Sequence, residues 1–174
     1  MTRAPLTIFT HKKWTPSAFQ RLSGLSPVAV RDLRRRGLAP ESEGGKLGLE
    51  AVAELHLLSA LTSHGFGPKS VRATAKEFAD AVQQHALANR SAWTDDKSHA
   101  AWLGSSFGKR KGPRFILIES AEKGGVAIDD PTALPNNTAP IVTIIDLERL
   151  GKELSEHMAH HPSRLAPNSG GGVE

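Results

Sequence analysis

Two helix-start signals bracket one glycine early in the chain, and no other feature constrains the fold as much. Thr15-Pro16 and Ser26-Pro27 each place a hydroxyl residue before a proline. A hydroxyl at the N-cap satisfies an orphan backbone N–H, and proline suits the first helical position, where no N–H is needed. Phe19 and Leu22 give the first segment an apolar face, and Gly24 ends it. Val30 and Leu33 give the second its face, to about Arg36, and Gly37 stops it. Two short helices joined by a glycine-containing turn of about three residues make a helix-turn-helix. The second helix also carries Arg31, Arg34, Arg35 and Arg36, so its outer face is cationic.

Charge follows the same division. The chain is formally +4, yet residues 1–48 hold nine Lys or Arg against three Asp or Glu. The rest holds 13 against 15. A basic first part and a mildly acidic remainder point to a polyanion partner for the first part alone. The competing reading is a merely solvated basic face. The absence of Cys excludes disulfides, thiolate metal sites and Cys nucleophiles. Met1 to Thr10 lacks the pattern of a secretion signal, and no run approaches the ~20 apolar residues of a membrane span. A cytoplasmic, nucleoid-associated location without membrane contact is therefore expected. With 5% aromatics and no Tyr, the core is expected to be aliphatic.

Further along, Gly44-Gly45 within Pro40–Gly48 suggests a small hairpin. A helix is predicted over about Glu50–Ser63, with Val52, Leu55, Leu58 and Leu61 at threefold spacing and Leu57 widening the stripe. Gly65-Phe66-Gly67 breaks it, and Pro68 opens another helix, with Val71, Ala75, Phe78, Ala79 and Val82 inward, reaching about Leu87. Trp93, Trp102, Leu103 and Phe107 suggest a short packing helix with a loop, and Gly108–Gly112 reads as a flexible basic connector. Strands are predicted at Phe115–Ile118, at Ile141–Ile145 and, shorter, at Val126–Ile128, with a turn at Gly124-Gly125. Asp146 caps a last helix, about Leu147 to His160, with Leu147, Leu150 and Leu154 inward, and residues 162–174 read as a disordered tail. The expected class is α+β, divided into a basic arm (1–14), a helical winged unit (15–88), a small strand-and-helix region for dimerisation or sensing (89–161) and the tail.

The run QRLSGLSPVAVRDLRRRGLAP, Gln20 to Pro40, is followed by Gly44, Gly45 and Lys46, and then by Leu61 and Gly65-Phe66. In order and spacing, Phe19–Phe78 resembles the MerR family of winged helix-turn-helix proteins. Asp32 and Leu33 stand where that family usually has aromatics, and Lys46-Leu47-Gly48-Leu49 stands in place of its usual wing ending. The resemblance implies a double-stranded DNA-binding transcriptional regulator, with the second helix in the major groove. An excisionase-like recombination factor shares the same pattern, and a protein-interaction adaptor is the alternative from another class.

The first turns of such a helix face base edges. Ser26, Pro27, Val28, Ala29 and Arg31 occupy them. Ser26 could cap the helix and also donate to a phosphate, Val28 and Ala29 suit thymine methyls, and Arg31 suits a base or a phosphate. Arg34, Arg35 and Arg36 suit phosphates, whose oxygens match the guanidinium fork. Lys46 belongs to the expected wing, and Lys12 and Lys13 are weaker phosphate candidates. One small module makes few contacts, so a homodimer is expected, with the strands as interface or sensor. A small sheet packed on its own final helix is the competing reading. A small-molecule or protein effector fits the remainder. No cofactor, metal site or catalysis is expected. His157, His160 and His161 read as a solvated cluster, and Asp95-Asp96 and Asp129-Asp130 as turn residues.

Overall fold

The computed structural model describes residues 21–40, 47–93, 95–120, 123–132, 134 and 142–160. Helical residues 21–23 lead into α1 (Pro27–Arg35); then come α2 (Leu49–Ser63), α3 (Pro68–Ala88), a 3-10 turn (Arg90–Ala92) and α4 (Asp96–Gly104). β1 (Phe115–Ile118), β2 (Gly125–Ile128), β3 (Thr143–Asp146) and α5 (Leu147–Ala159) complete the order. The class is α+β. The helix signals at Thr15-Pro16 and the hairpin signals at Gly44-Gly45 lie outside the described residues, as do Lys12, Lys13, Lys46, Ile141 and the tail.

α2 is the centre of the molecule. The sequence predicts an apolar stripe, but every residue from Val52 to Leu58 is buried, including Glu54 and His56. The helix is covered all round because α3 and α5 both pack on it. A helix apolar on all sides belongs inside a protein, and a polar residue within it goes inside too.

α3 in turn packs along α5. Their approach is set by Gly151: a Cβ there would lie 2.8 Å from the backbone nitrogen of Ala86. Glycine weakens a helix interior, and here it lets two backbones meet. Leu147, Leu150 and Leu154 face inward as expected, and Asp146 caps the helix by accepting from the N–H of Arg149 at 2.9 Å.

The sheet has the order β2-β1-β3 and is antiparallel throughout, with Phe115 opposite Ile128 on one side and Asp146 on the other. All four residues of β1 are buried, as a continuous apolar run in a central strand should be. Gly125 of β2 sits so close to Thr74 and Phe78 that one face of the sheet rests on α3. Gly124, at φ +75°, makes the turn into β2. One apolar cluster runs from Leu22 to Met158, across the boundary placed at residue 88 from the sequence.

Residues 89–112 depart most from expectation. Trp93 and Trp102 are buried, but Leu103 (42%) and Phe107 (49%) are exposed. The indole N–H of Trp93 donates to the carbonyl of Leu87 at 2.8 Å, tying the segment to the end of α3. Asp96 is not a turn residue but the first residue of α4, and Asp95 stands just ahead of it. Asp95 caps α4 through the N–H and hydroxyl of Ser98, both at 2.8 Å, and Asp96 in its first turn pairs with Arg90. Asp130 does form a turn, accepting from Thr132. Among the described residues, no helix is long and apolar enough to cross a membrane.

Candidate nucleic-acid interface

α1 is built as its residues dictate. Gly24 takes φ +71°, the left-handed conformation that ends the helical residues before it. The hydroxyl oxygen of Ser26 accepts from the N–H of Ala29 at 3.1 Å, and Pro27 follows as the first helical residue. At the other end Gly37, at φ +67°, turns the chain so that the N–H groups of Leu38 and Ala39 bond back to the carbonyl of Leu33 at 2.8 and 3.3 Å. Val30 and Leu33 are buried and pin one side of the helix.

The opposite side faces outward. Ser26, Pro27, Val28 and Arg31 are exposed, Val28 to 63%, and Ala29 is half-buried. Arg31 has no ion-pair partner among the described residues. The other arginines divide. Asp32 holds Arg35 at 2.9 Å and Arg36 at 2.8 Å, so one carboxylate offsets part of the charge of two guanidiniums. Both arginine side chains remain exposed, and pairs of this kind contribute about 0–1 kcal/mol, little enough for a phosphate to displace. Arg34 is half-buried, with one guanidinium nitrogen buried and without a hydrogen-bond partner among the described residues. Arg34, Arg35 and Arg36, assigned alike from the sequence, therefore occupy two different environments, and Arg31, assigned apart from them, a third.

Two histidines hold the turn ahead of α1. His56 of α2 donates from Nδ1 to the carbonyl of Ser23 at 3.4 Å, and His157 of α5 donates from Nδ1 to the carbonyl of Leu22 at 3.2 Å. A carbonyl only accepts, so each bond places the proton on Nδ1. The rings meet edge-on, 5.9 Å apart. Both take carbonyls at the end of one helical segment, where the dipole favours donors. Burial pushes the pKa of His56 down, outweighing the bond to Ser23, nearby Glu153 and a backbone bond to Leu150, which push it up; His157 adds to the lowering. His56 is 7% exposed.

The sequence pattern missed His56, although a histidine inside an apolar run was the available signal. His157 belongs to the cluster read as solvated; it and His160 are exposed, His161 lies outside the described residues, and His157 also donates to this turn as part of the latch. Among the described residues no group of His, Asp and Glu is placed to hold a metal.

A pocket of about 470 Å³ opens beside the latch. Its walls are the Ser23-Gly24 turn, Ser59 and Ser63 of α2, and the start of α5 with Arg149 and Glu153. Arg149 and Glu153 bond to each other at 3.0 Å. The pocket thus shares a wall with the turn that orients α1.

No protein-family model, curated protein or solved structure matches this chain.

Proposed function

We propose that this chain is a sequence-specific, double-stranded DNA-binding transcriptional regulator of MerR-like winged helix-turn-helix design, acting as a homodimer with α1 in the major groove. The supporting observation is the outward side of α1. Its capped first turns stand clear of the core, with Val28 exposed and Arg31 unpaired among the described residues, while Val30 and Leu33 anchor the helix behind them. A base-reading helix needs this combination of fixed orientation and free side chains.

In this reading Ser26, Pro27, Val28 and Ala29 lie against base edges. Arg31 reaches a base or a phosphate, and Arg35 and Arg36 exchange Asp32 for backbone phosphates. Arg34, with a buried nitrogen, contributes less. A two-fold dimer doubles the contact one short helix can make. In this reading the strands supply its interface, since β2 and β3 each have a strand neighbour on one side only among the described residues.

Mobility-shift titration against DNA from the chain's own upstream region tests the reading. Arg31→Ala is expected to weaken specific binding by about 1–3 kcal/mol, or about 5- to 150-fold. If no fragment forms a specific complex even at low salt, the proposal fails.

A further inference from the structure

The segment read from sequence as a flexible basic connector is a docked turn, and its construction points to a use. Ser105 organises it. Its hydroxyl donates to the carbonyl of Trp102 at 2.6 Å and accepts from the N–H of Gly108 at 3.1 Å. Its carbonyl accepts from Lys109 at 3.2 Å, and the carbonyl of Phe107 accepts from Arg110 at 3.1 Å.

Both glycines are wedged rather than loose. A Cβ on Gly108 would collide with the backbone of Trp102 and Leu103, and one on Gly112 would lie 3.0 Å from the Cβ of Ala81 on α3. The turn is therefore fastened at both ends, to buried Trp102 and to α3.

This fastened turn presents three consecutive cations. Lys109, Arg110 and Lys111 are all exposed. Residues 97–118 contain five Lys or Arg and no Asp or Glu. Arg114 in that stretch is occupied by Glu148 at 2.9 Å and Asp146 at 3.7 Å. Lys109, Arg110 and Lys111 have no ion-pair partner among the described residues. The guanidinium of Arg110 lies over the exposed ring of Phe107, 5.4 Å from its centroid, which limits its rotamers without neutralising it. On α1, Asp32 offsets part of the charge, whereas no carboxylate among the described residues does so here.

We propose that the turn Ser105–Lys111 is a second nucleic-acid contact, which grips the phosphodiester backbone of duplex DNA through Lys109, Arg110 and Lys111. It reads no sequence, because its groups match phosphate oxygens. The inference rests on the reading that this chain binds DNA, but on different residues from those of α1.

The test is a salt titration of binding by the full chain, on the upstream duplex and on a random-sequence duplex of equal length. Each phosphate contact contributes about 0.9 to the slope of log K against log salt. Replacing Lys109, Arg110 and Lys111 together with Ala is expected to lower the slope by about 2–3 on both duplexes, with an unchanged circular-dichroism spectrum. Lys109→Gln with Lys111→Gln keeps the Arg110–Phe107 stack and is expected to lower it by about 2, which covers the case of a misfolded triple variant.

Unchanged slopes in these variants, while Arg31→Ala weakens binding, overturn this proposal and spare α1. Lowered slopes alongside an indifferent Arg31→Ala sustain the turn and remove α1 from the interface. A wild-type chain that binds neither duplex overturns both.

Discussion

Replacing Gly151 with Ala tests the packing on which the candidate interface depends. Two opposing effects set the outcome. In an exposed helix, alanine stabilises by about 0.8–1 kcal/mol relative to glycine. At this position the new methyl would lie 2.8 Å from the nitrogen of Ala86 and 2.9 Å from the carbonyl carbon of His85. Backbone atoms cannot swing aside as a side-chain tip can, so α5 must move off α3. Overpacking of this kind costs about 1–3 kcal/mol, and contact with main-chain atoms on a major helix pair places it in the upper part of that range. The net expectation is a loss of about 1–2 kcal/mol. For a chain of this size that lowers Tm by about 2–8 °C. Differential scanning calorimetry reads it directly. The displacement should also reach the candidate interface, because α5 carries His157, whose bond to the Leu22 carbonyl holds the turn before α1. Amide exchange in residues 22–30 should accelerate in Gly151→Ala. A variant as stable as wild type, or more so, would show that helix propensity prevails and that the close approach of α3 and α5 is wrongly described.

The cap and the latch give two more expectations. Ser26→Ala removes the bond to the Ala29 N–H and should cost about 1 kcal/mol, measured by urea unfolding, whereas Ser26→Asp should retain most of it. For His56, burial lowers the folded-state pKa below the ordinary 6.5, so the unfolded chain binds the proton more readily. Its contribution to stability is therefore complete at pH above 6.5 and declines as pH falls from there towards the lowered value, by up to about 1.4 kcal/mol per pH unit. His56→Asn keeps a donor for the Ser23 carbonyl but cannot titrate. Its Tm should therefore fall less than that of wild type between neutral pH and pH about 5, and equal pH slopes would refute this account of the latch.

Local order was largely legible in the residues themselves. Ser26-Pro27 and Gly37 bound α1 within a residue of expectation, because capping and left-handed glycine act over a few bonds. The predicted helices containing α2, α3 and α5 end within about a residue of the observed bounds for the same reason. The strands emerged from runs of branched residues, but not their order, since β1 lies between two strands that follow it in the chain. Side-chain roles were less legible. The tracts around Leu103–Phe107 and Gly108–Gly112 look like a packing helix and a linker by composition, yet Phe107 faces out and both glycines are wedged against backbone or a neighbouring helix.

The sequence by itself determined where the helices start and stop, which segment carries the arginines, and that the charge divides between the two parts of the chain. These are properties of near neighbours and of composition. The tertiary structure decided which side of α1 faces outward and buried one guanidinium nitrogen of Arg34, whereas the pairing of Asp32 with Arg35 and Arg36 is local to the helix. It also decided that His56 and His157, 101 positions apart by their numbers, hold adjacent carbonyls of one turn. Contacts of that range depend on how α2, α5 and the first helical segment pack together, and no local pattern of residues encodes that geometry.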